Sequence, residues 1–588
     1  QSRSSAASDV YKRQVMKNII KTFEQDDYYA VLKILLAFAA VIILLGIGIR
    51  SPWPADEPRF VEVAREMVAT GNWLFPMRGG EFYPDKPPVF MWSIALFYSL
   101  IGNLKLAFLL PNAICGLITL FLVYDLGAKL HSVRVGRNAA LLLLITPQFL
   151  IQAKAAQIDA MVMCWITIGC YGFIRHFILG PNWRWYFISW AFMALGIITK
   201  GVGFLPVLMF IPIIAYRLAN KDYFKGRLTF ACWLGFVPFF LVLAAWFVPM
   251  MITVAEQATP ELIQYKNNIL FKQTGERYAN AWHHLEPWYY FIVSVIPVMW
   301  FPLPILLLSS LKHVYHKLKT DPVLMILFAW VVLVVCFFSI SPGKRGVYVL
   351  PALPMLSLFT TIAYHEVKLP LWFNRISKSI LWLIAIVLVV ACIGLLTGHK
   401  KLVKPLTAYP EMIPWAAGLA FILAAIWLVS LWRLRSKNAF FNLGMVIVAS
   451  WLIVSTLGYW LAEPLRTPKH VIEEVENTLG QHGERGELGL VKFKEQFLLF
   501  SQLPITHFSY LATDEEEERN AWLWMGEKAG RFILVPDDAN LTCFDVSNGQ
   551  DMGYAHRQHW LLLSAKQMAE NCQAPKVIKR FSVPREAY

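Results

Sequence analysis

Charged residues that could do chemistry cluster directly after the first long apolar run. Asp56 and Glu57 are followed by Arg59, and a loop further along adds Asp85 and Lys86. Carboxylates beside cations, at the level where a helix leaves the bilayer, suit an anionic lipid substrate. Lysine and arginine hold a phosphate in such sites, while the carboxylates act on a sugar or an acceptor. An alternative for Asp56 is an N-cap of the helix that begins near Pro58.

Further ionisable residues stand at the ends of apolar runs on the same predicted face of the membrane. Asp159 begins one run and Lys200 closes another, and the rest lie in loops: Arg277, His283, His284, Lys344 and Arg345. A charge at this depth is costly, so each is expected to face a polar cavity. The alternative for Lys200 and Lys344 is that the side chain reaches out to the lipid head groups. Arg277 or Arg345 could grip two phosphate oxygens at once.

Composition places the chain among polytopic membrane proteins. Of 588 residues, 57% are hydrophobic and 16% charged, and the mean hydropathy is +0.49. Residues 1–15 are polar and precede Met16, so we treat them as an upstream leader outside the fold. About thirteen apolar runs are long enough to span a bilayer. They lie near residues 31–49, 106–128, 138–155, 160–179, 185–199, 202–216, 228–253, 288–310, 323–340, 346–363, 379–397, 411–432 and 440–461.

The distribution of Lys and Arg predicts the orientation. If the apolar run 87–102 stays on the outer surface as a surface or re-entrant helix, most basic loops fall on the inner side, with the N-terminus inside and the C-terminus outside. The helix after Pro58 has Phe60, Val63 and Met67 on one side and charged residues on the other, which predicts a helix lying on the membrane surface.

The last part of the chain has the composition of a soluble domain. We therefore divide the chain into the leader, a membrane domain at 16–464 and an α/β domain at 465–588 outside the membrane. Predicted strands lie at 487–493, 505–510, 531–536 and 560–564, and Thr513 and Glu516 have the spacing of a capping box. Cys543 and Cys572 both fall in this domain, where a disulfide would fit an oxidising compartment. No convincing nucleotide-binding motif is present, and we expect neither a nucleic-acid partner nor a second subunit.

Several motifs resemble the 4-amino-4-deoxy-L-arabinose lipid A transferases, which are undecaprenyl-phosphate-dependent GT-C glycosyltransferases related to protein O-mannosyltransferases. The matching stretches are Asp56-Glu57-Pro58-Arg59-Phe60, Tyr83-Pro84-Asp85-Lys86-Pro87, Thr199-Lys200-Gly201, Arg277-Tyr278, His283-His284 and Lys344-Arg345-Gly346-Val347-Tyr348. The resemblance covers nearly the whole chain. It implies a GT-C fold of about thirteen transmembrane helices with juxtamembrane helices and a small C-terminal α/β domain in the periplasm.

The same resemblance implies roles for the residues. The donor would be an undecaprenyl-phosphate-linked sugar, the acceptor lipid A in the bacterial inner membrane, and the transfer inverting. Asp56 would be the leading catalytic residue, with Asp159 and Glu57 as further candidates. Binding of donor or acceptor would fall to Arg59, Tyr83, Lys86, Lys200, Arg277, Lys344, Arg345 and Tyr348.

Three questions stay open at the level of sequence. Asp85, His283 and His284 could ligate a divalent metal such as zinc. A protein hydroxyl could replace the lipid A phosphate as acceptor, in which case Asp56 would have to act as a base. A lipid transporter or flippase is the main alternative from another class, although the chain shows neither charges near the middle of the membrane nor inverted halves.

Overall fold

We describe the fold from a computed structural model of the whole chain. The described residues are 26–219, 229–271, 284–309, 311–365, 367, 370–433, 439–481 and 486–583. The predicted leader, together with Arg277 and His283, lies outside these ranges.

Most of the chain up to residue 466 forms helices. In order, they are Tyr28–Leu44, Glu57–Thr70, Val89–Ile101, Leu104–Ala107, Leu110–Leu130, Val133–Leu144, Pro147–Ala153, Ile158–Phe173, Trp183–Lys200, Phe210–Ala219, Phe236–Gln257, Pro260–Asn267, Ile296–Met299, Leu303–Leu308, Leu311–Thr320, Pro322–Ile340, Leu353–Tyr364, Leu371–Leu396, Lys400–Val403, Ile413–Arg433, Ala439–Ile453 and Tyr459–Arg466.

This part of the chain is an integral membrane protein. In the described residues, eight helical stretches are long and apolar enough to cross a bilayer, and shorter apolar helices lie at Tyr28–Leu44, Val89–Ile101 and Leu205–Ala219. Each predicted apolar run contains helical structure within its described residues, and the run near 288–309 is broken into short pieces around Pro302. The polytopic helical fold is confirmed. The orientation in the membrane stays a prediction.

Two antiparallel helices bring two predicted site residues, Asp159 and Lys200, to the same end of the helix pair. Ile158–Phe173 carries Asp159 in its first turn, and Trp183–Lys200 ends at Lys200. Gly172 permits the close packing of these helices, because a Cβ atom there would lie 2.3 Å from the carbonyl oxygen of Trp185. Since the helices run in opposite directions, the start of one lies beside the end of the other.

The juxtamembrane helix, Glu57–Thr70, differs from the predicted helix on the membrane surface, because its charged side is buried within the protein. Its polar side chains are buried: Arg65 pairs with Glu62 at 2.6 Å, and both oxygens of Glu66 accept backbone N–H groups from a hairpin turn. The apolar side packs on Val89–Ile101, with the rings of Phe60 and Phe90 5.2 Å apart. The C-terminal domain packs against this helix through its helix Glu495–Phe500. The sequence pattern of the juxtamembrane helix alone could not predict that contact.

The hairpin beside this helix is formed by β1 (Met77–Arg78) and β2 (Glu81–Phe82). Its turn contains Gly79 and Gly80, which have φ angles of 70° and 82°, in the left-handed region that glycine tolerates best. The carboxylate of Glu66 holds both turn amides, so the loop that follows the hairpin leaves from a fixed point.

The C-terminal domain is built on a mixed six-stranded sheet, as the sequence predicts for an α/β unit. The strands are β3 (Glu487–Leu490), β4 (Ile505–His507), β5 (Arg531–Pro536), β6 (Gln550–Ala555), β7 (Gln558–Leu563) and β8 (Phe581–Ser582), in the order β6-β7-β5-β3-β4-β8. β3 is parallel to β4 and β5, and the remaining pairs are antiparallel. The helices are Lys469–Gln481, Glu495–Phe500 and Asp514–Gly526.

Apolar clusters cover the sheet of this domain. One contains Val471, Phe497 and Trp560, and another contains Phe508 and Trp524. All four strands predicted from sequence are present: β3 and β4 are shorter than predicted, β5 has the predicted bounds, and β7 begins two residues earlier and ends one residue earlier. β6 and β8 were not predicted. Thr513 caps its helix as expected, because its hydroxyl accepts the N–H of Glu516. Cys543 and Cys572 form a disulfide with a Cα separation of 5.3 Å.

Candidate active site

A single cavity collects most of the residues singled out from the sequence. It has a volume of about 530 Å³ including its open mouth. It lies between the juxtamembrane helix, the loop after β2, the two antiparallel helices and the segment at 345–348. Its lining is Asp56, Arg59, Phe60, Tyr83, Asp85, Lys86, Ile158, Asp159, Lys200, Arg345 and Tyr348.

Asp56 forms the first ion pair of this cavity. It occupies the N-cap position of the juxtamembrane helix, but its side chain accepts no capping hydrogen bond. Instead its Oδ2 accepts a hydrogen bond from Arg345 Nη2 at 2.7 Å. Burial raises the pKa of Asp56, but Arg345, Arg59 and Lys200 outweigh that effect, so its pKa lies below the ordinary value. Asp56 is therefore ionised at neutral pH.

Asp159 and Lys200 form the second ion pair. The Nζ of Lys200 donates to Asp159 Oδ1, and it also lies 4.6 Å from the centre of the Tyr348 ring. The alternative that Lys200 extends toward the lipid head groups is wrong, since its ammonium group is held inside the cavity. The aromatic face of Tyr348 stabilises this cation from a second side.

Two buried polar groups of the cavity make no hydrogen bond within the described ranges, although one of them, Arg59 Nε, is ion-paired with Glu495 at 3.6 Å. Tyr83 is fully buried, and among the described residues neither its hydroxyl nor Arg59 Nε has a hydrogen-bond partner. Burial is the main cause that raises the pKa of Tyr83, so the hydroxyl keeps its proton and can donate it. A buried polar group without a partner costs free energy, and such groups at a cavity wall indicate a ligand. Tyr83 and Arg59 can each donate to a ligand oxygen.

The chain resembles known glycosyltransferases in sequence. Residues 85–246 match the family model described as dolichyl-phosphate-mannose-protein mannosyltransferase. The undecaprenyl phosphate-alpha-4-amino-4-deoxy-L-arabinose arabinosyl transferase of Yersinia pestis (strain Pestoides F) is 26% identical over 539 residues, which cover 85% of this chain and 92% of the relative. The protein of that name from Aeromonas hydrophila is 27% identical over 333 residues, or 55% of this chain and 57% of the relative.

A solved structure shows the same fold. ArnT from Cupriavidus metallidurans, bound to undecaprenyl phosphate, matches with a TM-score of 0.68 at 17% identity, over 91% of this chain and 98% of that chain. Its apo structure matches with a TM-score of 0.64 at 18% identity. The chain is similar to these arabinosyl transferases over most of its length, and it shares the fold of ArnT. The GT-C fold predicted from the sequence motifs is confirmed.

One residue predicted to be catalytic, Glu57, does not reach the cavity. Glu57 is buried, and its carboxylate accepts hydrogen bonds from Arg50 at 2.7 Å and from the backbone N–H groups of Trp53 and Ala156 at 2.8 Å. Successive residues of a helix point about 100° apart, so Asp56 and Glu57 cannot face the same space. The geometry gives Glu57 a structural role, and we correct the catalytic assignment.

Lys344 is corrected for a similar reason. Its Nζ donates to the carbonyl oxygen of Glu286 at 2.7 Å, and it is absent from the cavity lining, whereas the next residue, Arg345, lines the cavity. Arg345 has extended backbone angles, and adjacent side chains of an extended segment point to opposite sides. Lys344 therefore anchors the loop. The alternative of reaching to lipid head groups also fails for this residue.

The metal site stays a prediction. Of its candidate ligands, Asp85 lines the cavity, His284 is exposed and not part of the lining, and His283 lies outside the described residues. Across the described ranges, no three His, Cys, Asp or Glu side chains meet in a group that could hold a metal ion. The described residues therefore form no cluster that could hold a metal ion, and the reaction proposed for this cavity is assigned to side chains alone.

Sequence reasoning missed the charged partner of one residue that lines the cavity. Glu495, in the C-terminal domain, lies 3.6 Å from Arg59 Nε. It stands in Phe493-Lys494-Glu495, which has no motif character, and more than four hundred residues separate it from Arg59. No sequence signal distinguishes it from the other acidic residues of the domain.

The cavity has the groups that transfer from a lipid phosphate requires. Four cationic side chains, Arg59, Lys86, Lys200 and Arg345, line a space that also holds three carboxylates. Cations fixed around a phosphate stabilise the negative charge that develops on it when it leaves, and they need no rearrangement during the reaction. A carboxylate in the same space can hold a positively charged or hydroxylated sugar.

Proposed function

We propose that this protein transfers 4-amino-4-deoxy-L-arabinose from undecaprenyl phosphate to a phosphate of lipid A on the periplasmic side of the bacterial inner membrane. The observation that carries the proposal is the convergence, in one cavity, of two carboxylate–cation pairs with the Tyr83 hydroxyl and the Arg59 guanidinium as further donors. The named relatives, arabinosyl transferases that use undecaprenyl phosphate, support the choice of donor and sugar.

The negative charge on the leaving phosphate explains why cationic side chains line the cavity. In an inverting transfer, an acceptor oxygen forms a bond to the anomeric carbon while the bond from that carbon to the phosphate oxygen breaks. The electron pair of the broken bond stays on undecaprenyl phosphate. Lys86, Arg59 and the Tyr83 hydroxyl are the groups that we assign to this charge, because they line the cavity on the side of the loop after β2.

The carboxylates of the cavity are assigned to the sugar and the acceptor. Asp56 is ionised at neutral pH, and its lowered pKa makes it a weak base. A lipid A phosphate is already anionic and needs no base to attack. Asp56 then binds the protonated amine of the sugar or orients the acceptor, while the Asp159–Lys200 pair lines the same cavity.

A hydroxyl acceptor, as in a protein O-mannosyltransferase, is the second candidate. The family-model match over residues 85–246 favours it. A hydroxyl acceptor has to lose a proton during attack, and the lowered pKa of Asp56 makes that step unfavourable. The electrostatics of Asp56 therefore support a phosphate acceptor.

Mass spectrometry of lipid A tests the proposal directly. Lipid A would be extracted from cells that lack such transferases and express the wild-type chain, the Asp56→Asn variant or neither. We expect a mass increment of one aminopentose on a phosphate with the wild-type chain alone. An unchanged spectrum with well-expressed wild-type protein would overturn the proposed acceptor, and sugar on proteins in the same cells would favour the hydroxyl alternative.

The predicted metal site is tested by a separate experiment. If Asp85 and the two histidines hold zinc, chelation will abolish transfer by the purified protein, and added zinc will restore it. Transfer that is unaffected by chelators would remove the metal from the proposal and leave the roles of the cations unchanged. We also propose that the protein acts as a monomer, because the groups assigned to the reaction come from one chain.

A further inference from the structure

The C-terminal domain contacts a residue of the cavity wall, Arg59, through a buried carboxylate. Glu495 begins the helix Glu495–Phe500, and its side chain is 9% exposed. Its Oε1 lies 3.6 Å from Arg59 Nε, and its Oε2 accepts a hydrogen bond from Arg78 Nη2. One carboxylate of this domain thus lies between two arginines of the membrane domain.

This arrangement determines where the Arg59 guanidinium can lie. Burial raises the pKa of Glu495, but Arg78 and Arg59 together lower it below its ordinary value, so the group is ionised. Without that charge, two guanidinium groups would face each other in a region shielded from water, where like charges repel strongly. Arg59 would then move away from Arg78, and the cavity wall that it forms would change.

A second set of contacts holds the loop that carries the other phosphate-binding candidates. Tyr510 donates its hydroxyl to the carbonyl oxygen of Phe82 at 2.7 Å, directly before Tyr83. Glu81 accepts a hydrogen bond from Ser509 at 2.7 Å. The C-terminal domain therefore holds the end of the hairpin from which the loop with Lys86 departs.

We infer that Glu495 is a positioning residue for Arg59, and that the C-terminal domain is a working part of the site that binds the donor phosphate. The inference rests on the proposed function and adds to it a residue from outside the membrane domain. The ligand class is a polyprenyl phosphate, whose oxygen Arg59 can reach only while Glu495 balances Arg78.

A double-mutant cycle separates positioning from a general effect on folding. Transfer would be measured for wild type, Glu495→Gln, Arg59→Ala and the double variant, with a radiolabelled sugar on undecaprenyl phosphate as donor. We expect Glu495→Gln to raise the donor KM roughly 10- to 100-fold, as a small misplacement of a binding group does. In the Arg59→Ala background the same change should alter KM by no more than about twofold, because its partner is already absent.

Two further variants serve as matched controls. Glu518→Gln changes another buried glutamate of the same domain, which holds the backbone of Cys543 and lies outside the cavity lining, and it should leave KM near the wild-type value. Glu495→Asp keeps the charge and should recover part of the loss. If the effects of Glu495→Gln and Arg59→Ala on the donor KM multiply in the double variant, the inference is wrong. It is also wrong if Glu518→Gln raises KM as much as Glu495→Gln does.

A binding measurement keeps this result apart from the proposed function. Equilibrium binding of a short-chain polyprenyl phosphate to the same four proteins needs no acceptor and no turnover. A wild-type chain that binds the probe but transfers no sugar would overturn the proposed reaction, while the cycle in binding constants would still decide the role of Glu495. If the wild-type chain neither binds nor transfers, both proposals fail.

Discussion

The carboxylate of Asp56 accepts a hydrogen bond from the guanidinium of Arg345 at 2.7 Å, although 289 residues separate the two in the chain. This pair joins the first loop of the membrane domain to a loop that precedes a much later span. It fixes the orientation of the carboxylate that we place nearest to the sugar, and it keeps that carboxylate ionised.

Asp56→Asn should abolish most transfer while the fold is retained. The amide oxygen of asparagine can still accept the hydrogen bond from Arg345, but the negative charge that faces the sugar is lost. We expect kcat to fall roughly 10²- to 10³-fold, the size seen when one preorganised electrostatic group is removed from an active site. A reconstituted transfer assay and a thermal unfolding curve measure the two effects.

The control for Asp56 is Asp27→Asn. Asp27 caps the helix Tyr28–Leu44 through a hydrogen bond from Ala30 N, far from the cavity lining, and asparagine caps equally well. This variant should keep full activity. Wild-type rates for Asp56→Asn would remove the catalytic role of Asp56.

Lys86→Ala should weaken the binding of donor more than it slows the chemistry of bound donor. Lys86 lines the cavity in the loop after β2, where its ammonium group can contact a phosphate oxygen. We expect the dissociation constant for undecaprenyl phosphate to rise about tenfold or more, the cost of losing one charge-assisted hydrogen bond. Isothermal titration of detergent-solubilised protein measures this constant.

Lys105→Ala is the matched comparison for Lys86. Lys105 lies in the short helix Leu104–Ala107 and is not part of the cavity lining. Its removal should leave donor binding unchanged. Equal losses for the two variants would mean that the effect is a nonspecific loss of positive charge.

Acid should destabilise the contact between the C-terminal domain and the hairpin through His507. Its Nε2 lies 2.6 Å from the carbonyl oxygen of Gly79, so the neutral ring donates there, and burial is the main cause that lowers the pKa of His507 to about 4. An unfolded histidine takes up a proton near pH 6.5. The folded state resists this proton, so stability is lost as pH falls from about 6.5 toward 4, by roughly 3 kcal/mol in total.

His507→Gln tests this pH dependence, because glutamine keeps an N–H donor for Gly79 and does not titrate. Its unfolding temperature should fall less steeply between pH 7 and pH 5 than that of wild type. His559→Gln, which changes an exposed histidine paired with Asp551, should keep the wild-type slope. Parallel slopes for wild type and His507→Gln would contradict the prediction.

Loss of the disulfide should destabilise the C-terminal domain. Cys543 and Cys572 are 29 residues apart, and a closed loop of that length restricts the unfolded chain by about 3–4 kcal/mol. The double variant Cys543→Ser with Cys572→Ser should unfold at a lower temperature than wild type. Wild type in reductant should match the variant, and a reductant-independent unfolding temperature would show that the bond contributes nothing.

The sequence by itself determined the class of protein and most of the side chains around the cavity. Membrane-spanning helices can be recognised from the local sequence, because each needs about twenty apolar residues to cross the bilayer, whatever its neighbours in the fold are. Asp159 and Lys200 were recognisable for the same reason, since an ionisable group at the end of an apolar run is costly and must face something polar. The motif resemblance added Tyr83, Lys86 and Tyr348, which the structure places in the cavity lining.

Only the tertiary structure decided which of two adjacent charged residues faces the cavity. It also decided which part of the C-terminal domain contacts the cavity wall. Asp56 and Arg345 point inward, while Glu57 and Lys344 point away, and adjacent residues cannot be told apart by composition. Glu495 enters from a separate domain, because a contact across more than four hundred residues follows from how the domains pack. Side-chain direction and long-range packing depend on the whole fold, so no local pattern encodes them.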